Sequence, residues 1–197
     1  MAASWRVGLC AALVFVAPAL HAEEEESEAG WHGAAWLVSD YVFRGVSQSQ
    51  QRPAGQGELY YRLENGFYAG VWGSSVDFTA DGDEDDGVDF EFDPYIGWEF
   101  GIGENLTADV ILIRQVYRDP EPGVDYDYNE LEATLWFGDE WFVHTGLSND
   151  VFASGENGFY FSGGGEWPVT DDFSVKAEAG WYDLDDEVGD SYGDFQL

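Results

Sequence analysis

Cysteine is almost absent from this chain of 197 residues; its one thiol, Cys10, lies inside an apolar stretch near the start. No disulfide framework is available to staple a small domain, and no Cys/His spacing suits a structural zinc. Positive charge is nearly as scarce. Lys and Arg total 7 against 40 Asp and Glu, a net charge of −33, and Lys176 is the one lysine. Gripping nucleic acid requires a cationic face to displace counterions from phosphates, so DNA and RNA are excluded as partners. The acid excess suits a high-salt habitat, where ions screen self-repulsion, or a cation-attracting surface, and the two can coexist. After residue 22 no apolar run approaches the roughly 20 residues of a membrane-spanning helix. Nucleophile elbow, phosphate-cradling glycine loop and dinucleotide glycine pattern are all missing. His144 sits near Thr145, Ser148 and Asp150 in sequence, but a nucleophile, its base and an orienting group must meet in space. No enzymatic activity and no cofactor are expected.

What the chain does have begins with an address label. Arg6 supplies a positive charge, Val7 to Leu20 an apolar stretch, and Leu20-His21-Ala22 a small-residue cleavage site. Residues 1–22 are therefore expected to be a signal peptide. Cys10 is too far from that point to be a lipoprotein anchor. Residues 23–197 make one domain by length. With 45% hydrophobic and 17% aromatic residues, it has the material to fold despite its charge.

The strongest structural signal is alternation with period two. From 88 to 100, Val88, Phe90, Phe92, Pro94, Ile96, Trp98 and Phe100 fall on one side, and Asp89, Glu91, Asp93, Tyr95, Gly97 and Glu99 on the other. A strand separates these sets, whereas a helix would mix them. Pro94 cannot donate a ladder hydrogen bond and is expected to mark a bulge. The same pattern recurs around Leu59 to Leu63, Leu131 to Phe137 and Phe173 to Trp181. The 88–100 run also exceeds the five or six residues of an ordinary strand and suits the roughly nine to eleven of a tilted membrane strand.

Connections discriminate between a soluble sandwich and a barrel. Asn65-Gly66 predicts a type I′ hairpin, and Gly101 to Asn105, Gly138 to Glu140 and Trp167 to Asp172 are also short. Between them lie longer, polar links: Ser47 to Gly55, Thr79 to Gly87, Arg118 to Asp125, Asn149 to Asn157 and Asp183 to Asp190. Strict long–short alternation is what an up-and-down barrel produces, with turns at one end and loops at the other. The first strand is expected near Trp31 to Val46. Aromatic clusters near strand ends (Tyr41 and Phe43, Phe67 and Tyr68, Trp98 and Phe100, Trp136 to Phe142, Phe159 to Phe161, Trp181 and Tyr182) are expected to form girdles at the two membrane interfaces. The expected fold is all-β, an antiparallel up-and-down transmembrane barrel of about ten strands.

The stretch Val38-Ser39-Asp40-Tyr41-Val42-Phe43-Arg44-Gly45-Val46-Ser47-Gln48-Ser49 resembles the opening strand of the TorF family of porins, also known as the Gcw-chp family of exported bacterial proteins. Gly66 to Trp72, running into Ser75-Val76-Asp77-Phe78, and Glu91 to Trp98 are similar to the family's following strands. The likeness covers most of residues 35–182. It implies an outer-membrane barrel of a Gram-negative cell, passive transport, and no particular solute. Ser39, Asp40, Tyr41, Phe43, Arg44 and Gly45 carry the motif. Family members are longer, and Tyr192 to Leu197 makes barely half a membrane strand, so a complete barrel of about twelve strands is expected.

If the alternation holds, Glu58, Arg62, Glu64, Asp89, Glu91, Asp93, Glu99, Glu130, Glu132, Lys176 and Glu178 line an interior. Such carboxylates either favour cations in a narrow pore or brace it through ion pairs with the few Arg and Lys residues. Asp81, Asp83 and Asp85 offer oxygen ligands, but residues 81–92 lack the glycine and glutamate positions of a calcium loop, so no metal is expected. The expected function is passive passage of small solutes or cations across the outer membrane, with membrane lipid as the surrounding partner. A closed structural or adhesive barrel, and a soluble acidic sandwich, are the alternatives.

Overall fold

A computed structural model describes residues 29–79, 87–118, 120–123, 125–138, 140–170 and 173–197. Residues 1–22, expected to be a signal peptide, and the loop carrying Asp81, Asp83 and Asp85 lie outside the described residues. In chain order the strands are β1 (Gly30–Val38), β2 (Val42–Phe43), β3 (Val46–Ser47), β4 (Ala54–Arg62), β5 (Phe67–Ser75), β6 (Phe90–Gly101) and β7 (Leu106–Gln115). They continue with β8 (Tyr117–Arg118), β9 (Tyr128–Phe137), β10 (Trp141–Ser148), β11 (Gly158–Thr170), β12 (Phe173–Leu184) and β13 (Tyr192–Gln196). One 3-10 turn, Val151–Ala153, is the helical content among the described residues.

The long strands form one antiparallel meander, ordered β1-β4-β5-β6-β7-β9-β10-β11-β12-β13, with β8 extending β7 alongside β6. Each strand pairs with its neighbour in sequence, apart from the small β2–β3 hairpin, which stands off the sheet. Short connections (63–66, 102–105, 138–140, 171–172) gather at one end and long ones (39–53, 76–89, 116–127, 149–157, 185–191) at the other. The order ends at β1 and β13, and no ladder joins those two edges among the described residues.

Three local expectations need correction. The first strand stops at Val38, and the chain then turns into a separate hairpin instead of running on to Val46. At Asn65-Gly66, only Gly66 takes positive φ, +83°. Gly66 N–H donates to Leu63 O at 3.0 Å and Leu63 N–H to Phe67 O at 2.8 Å, the bonding of a type I turn followed by a glycine bulge, not a type I′ turn. Pro94 causes no bulge. Tyr95 faces Ile113 and Glu91 faces Tyr117, the same offset on both sides of the proline. Its missing N–H opens the ladder without shifting the register. The irregularity falls at Pro168/Thr170 instead, because β11 continues through the expected 167–172 connection.

Period two sorts the side chains as the sequence implies. Ile96, Leu37, Phe161 and Trp181 point away from the concave face and are 59%, 67%, 50% and 52% exposed. Glu91 and Glu130, on the opposite parity, are 2% and 1% exposed. The protein is oily outside and acidic inside. The aromatic clusters split the same way. Phe67 stacks on Trp98 at 5.1 Å, and Trp98 on Phe100 at 4.2 Å, while Trp141 meets Trp167 at 5.1 Å; these form an outward belt at the short-turn end. Their sequence neighbours Tyr68, Trp136, Phe142, Tyr160 and Tyr182 share the inner parity, so only half the aromatic residues expected at an interface face outward.

Candidate functional site: the concave interior

A two-residue turn sets the geometry of the interior. Phe43 pairs with Val46, and the residues between them, Arg44 and Gly45, take φ of +48° and +80°. Both central residues in the left-handed region make a type I′ turn. A non-glycine residue there costs on the order of 1 kcal/mol or more and persists only where its surroundings hold it. They do. The Arg44 guanidinium is 4% exposed and bonds both carboxylate oxygens of Glu130, Nη1 to Oε2 at 3.1 Å and Nη2 to Oε1. A second carboxylate, Glu132, lies 3.4 Å from Nη2. The guanidinium carbon also sits 4.5 Å from the Phe43 and Tyr160 ring centres and 4.8 Å from that of Tyr182.

Those contacts show how far the sheet curls. Arg44 reaches β9, β11 and β12, and a Cβ on Gly45 would meet Asp194 of β13 at 2.5 Å. Three residues earlier, the Tyr41 ring packs edge-on against Trp72 of β5 at 5.4 Å. One short hairpin therefore touches both halves of the meander, and the sheet wraps round it. Asp40 pins its base by accepting from Ser47 Oγ at 2.6 Å and Ser49 Oγ at 3.0 Å. Desolvation first, then the neighbouring Glu91 carboxylate, raises the Tyr41 hydroxyl well above its ordinary pKa, so it remains a donor. Of the motif residues, Ser39 before the hairpin and Gly45 at its tip are exposed, while the others are partly or fully buried.

Above the hairpin, Val76, Val88, Tyr117, Tyr128, Val151, Tyr160 and Tyr182 form the hydrophobic cluster that packs across the long-connection end. Beside it, between β4 and β9, lies a cavity of ≈ 440 Å³. Its wall is built of rungs read across neighbouring strands. Glu58, Trp72 and Asp93 are directly opposed on β4, β5 and β6, as are Tyr60, Gly70 and Tyr95 one rung away. Gly70 has no side chain, and a Cβ there would collide with Tyr95 Oη at 2.7 Å; the tyrosine uses that space to donate to Glu58 Oε1. Tyr68 likewise lies over Gly97, where a Cβ would meet its ring at 2.2 Å, and donates to Asp109 at 2.7 Å. Glycine and tyrosine on facing strands keep the wall smooth and the hydroxyls directed at acids.

The sequence-derived interior residues are mostly where period two puts them. Glu58, Arg62, Glu91, Asp93, Glu99 and Glu132 line the cavity. Glu130 lies under the hairpin, and Glu178, 12% exposed, accepts from Ser162 Oγ at 2.6 Å. Arg62 pairs with Glu99 at 2.6 Å. Lys176 shares the inward parity but is half exposed, 3.2 Å from Glu178. Two residues fall elsewhere: Glu64 is exposed in the turn after β4, and Asp89 is exposed before β6 begins. The sequence led us to expect the scarce cations, Arg44 among them, to pair with interior acids, and Arg44 pairs with Glu130. It missed Tyr41 and Phe43 as interior residues and the hairpin that carries Arg44, because it placed all three in the wall. The Arg44-Gly45 pair between Val42-Phe43 and Val46 was the available hairpin signal.

The site defines a class: an antiparallel meander with an apolar convex face and an acidic, tyrosine-lined concave face into which its first long connection folds. The chain belongs to the Gcw_chp family of bacterial proteins of unknown function, whose family model matches residues 23–197. No curated protein and no solved structure matches it.

Proposed function

We propose that this chain is the wall of an outer-membrane β-barrel, a porin of the TorF kind, passing small solutes or cations through a narrow acidic interior. One observation carries the reading: large apolar side chains face out and carboxylates face in. A Leu, Ile or Phe side chain gains about 1.5–3 kcal/mol on leaving water. A soluble protein would cover so many of them; acyl chains supply that medium here. The wet side is then the concave one, where backbone pairing is already complete between successive strands. Ten strands run alternately up and down in one antiparallel order, as the wall of an up-and-down barrel does. The Arg44 hairpin narrows the path, and the reading assigns the protein no chemical step.

Reconstitution tests it. Full-length protein from an outer-membrane fraction should show heat-modifiable gel migration and give stepwise conductance in planar bilayers. Potassium should be preferred over chloride. A protein that partitions into buffer without detergent, or inserts and carries no current or solute, sinks the transport reading; insertion without current favours a closed structural barrel.

A further inference from the structure

Two buried carboxylates in the cavity each keep one oxygen without a hydrogen bond. Glu91 is 2% exposed; Tyr117 Oη donates to its Oε1 at 3.1 Å, while Oε2 has no hydrogen-bond partner. Asp93, two residues on along the same face of β6 and 8% exposed, has an unpartnered Oδ1. Both line the cavity. Buried acceptors of this kind demand a cation or a donor, since a desolvated carboxylate is costly when unpaired. Tyrosine hydroxyls reach Glu91, Tyr117 by donation to Oε1 and Tyr41 from beside it, but the protein brings no free cation to the two remaining oxygens: the one basic residue lining the cavity, Arg62, is committed to Glu99.

The surroundings select the kind of cation. No group of three or more His, Cys, Asp or Glu among the described residues is placed to hold a metal ion. Aromatic faces flank the acids instead. Trp72 is directly opposite Asp93, and Tyr41 packs on Trp72. Tyr95 and Glu58 complete the wall. Carboxylates set among indole and phenol rings recognise organic ammonium groups, which are weakly hydrated and gain from the ring quadrupole. The volume lies within the roughly 300–1,000 Å³ usual for small-molecule sites.

We propose that the cavity bounded by Tyr41, Glu58, Trp72, Glu91, Asp93 and Tyr95 binds small organic ammonium cations, which are the solutes this interior selects. The inference rests on the concave face being the solute path, but binding is measurable without transport. Full-length protein in detergent micelles is titrated calorimetrically with tetramethylammonium chloride. Potassium chloride controls for ionic strength, and tert-butanol is the neutral probe of similar bulk. Saturable heat with tetramethylammonium alone is expected. Glu91→Gln with Asp93→Asn should weaken it about tenfold or more through loss of both charge partners. Trp72→Leu should weaken it several-fold through loss of the aromatic face. Gel migration before and after heating verifies that each variant is folded; should both fail to fold, the comparison of probes on the unaltered protein decides. Equal binding of tert-butanol, no saturable binding, or unchanged affinity in the folded double variant overturns the site. Conductance without saturable binding removes the site and keeps the channel, whereas binding without conductance removes the channel and keeps the site.

Discussion

Among the described residues, Arg44 is the most deeply buried cation. It occupies a left-handed turn position that favours glycine, and its guanidinium is removed from water. What holds it is a two-point bond to Glu130 and three aromatic faces. Removing one partner of a buried pair leaves the other charge uncompensated, at about 3–5 kcal/mol. Arg44→Met is therefore expected to lower unfolding stability by that order. Adding Glu130→Gln should recover a good part of it, because the neutral amide no longer needs a counter-charge. A double-mutant cycle by urea unfolding in lipid measures the coupling; a loss in the double variant equal to the sum of the two single losses would show that the pair is incidental. Gly164 makes a simpler case. A Cβ there would lie 2.2 Å from Ala177 O, and backbone cannot swing aside as a side chain does. Gly164→Val should cost about 1–3 kcal/mol or more by overpacking the β11–β12 ladder, visible as a lower temperature of heat modification.

Among the elements, the β2–β3 hairpin behaves unlike the rest. It pairs with no strand of the sheet, yet it crosses the interior between Trp72 on one side and Tyr160 and Tyr182 on the other. Replacing residues 41–47 by a short Gly/Ser linker together with Glu130→Gln, so that no buried carboxylate loses its counter-charge, should keep the ladders of the wall and raise single-channel conductance, since the segment supplies no ladder bond to the sheet. Unchanged conductance would show that the hairpin is not the constriction. The element scale also shows where sequence patterns stop being informative. Two-residue strands are too short for period two to register, so Val42 to Val46 reads as a continuation of β1 until the turn at Arg44-Gly45 is seen. Pro94 reads as a bulge because it lacks a donor, but whether a missing bond shifts the register depends on the partner strand.

At the scale of the whole molecule, the sheet has two faces of opposite chemistry and a medium is needed for each. Ile96→Lys, on the outward face of β6, is expected to cost about 2–4 kcal/mol of membrane-folded stability. Ile111→Lys, facing the acidic cavity, should cost far less and gain from the carboxylates around it. Unfolding titrations in lipid vesicles compare the two, and equal penalties would mean that the outer face is not in lipid. The asymmetry of connections belongs to this scale as well. Short turns gather at one end and long links at the other because the meander never crosses itself, and the long links bring the tyrosine-rich cluster together over the interior.

Side-chain parity was written in the sequence: alternation from 88 to 100 alone separates Ile96 from Glu91, because a strand has no freedom to turn one residue of a run the other way. The all-β antiparallel order followed from the same alternation and from the spacing of turns. Tertiary structure decided what meets across the interior. Arg44 and Glu130 are 86 residues apart, and nothing local couples them; their pairing exists because the sheet curls and a hairpin folds into the curve. The unpartnered oxygens of Glu91 and Asp93 belong to the same category, since a carboxylate's neighbours across a cavity depend on curvature, which no strand encodes by itself.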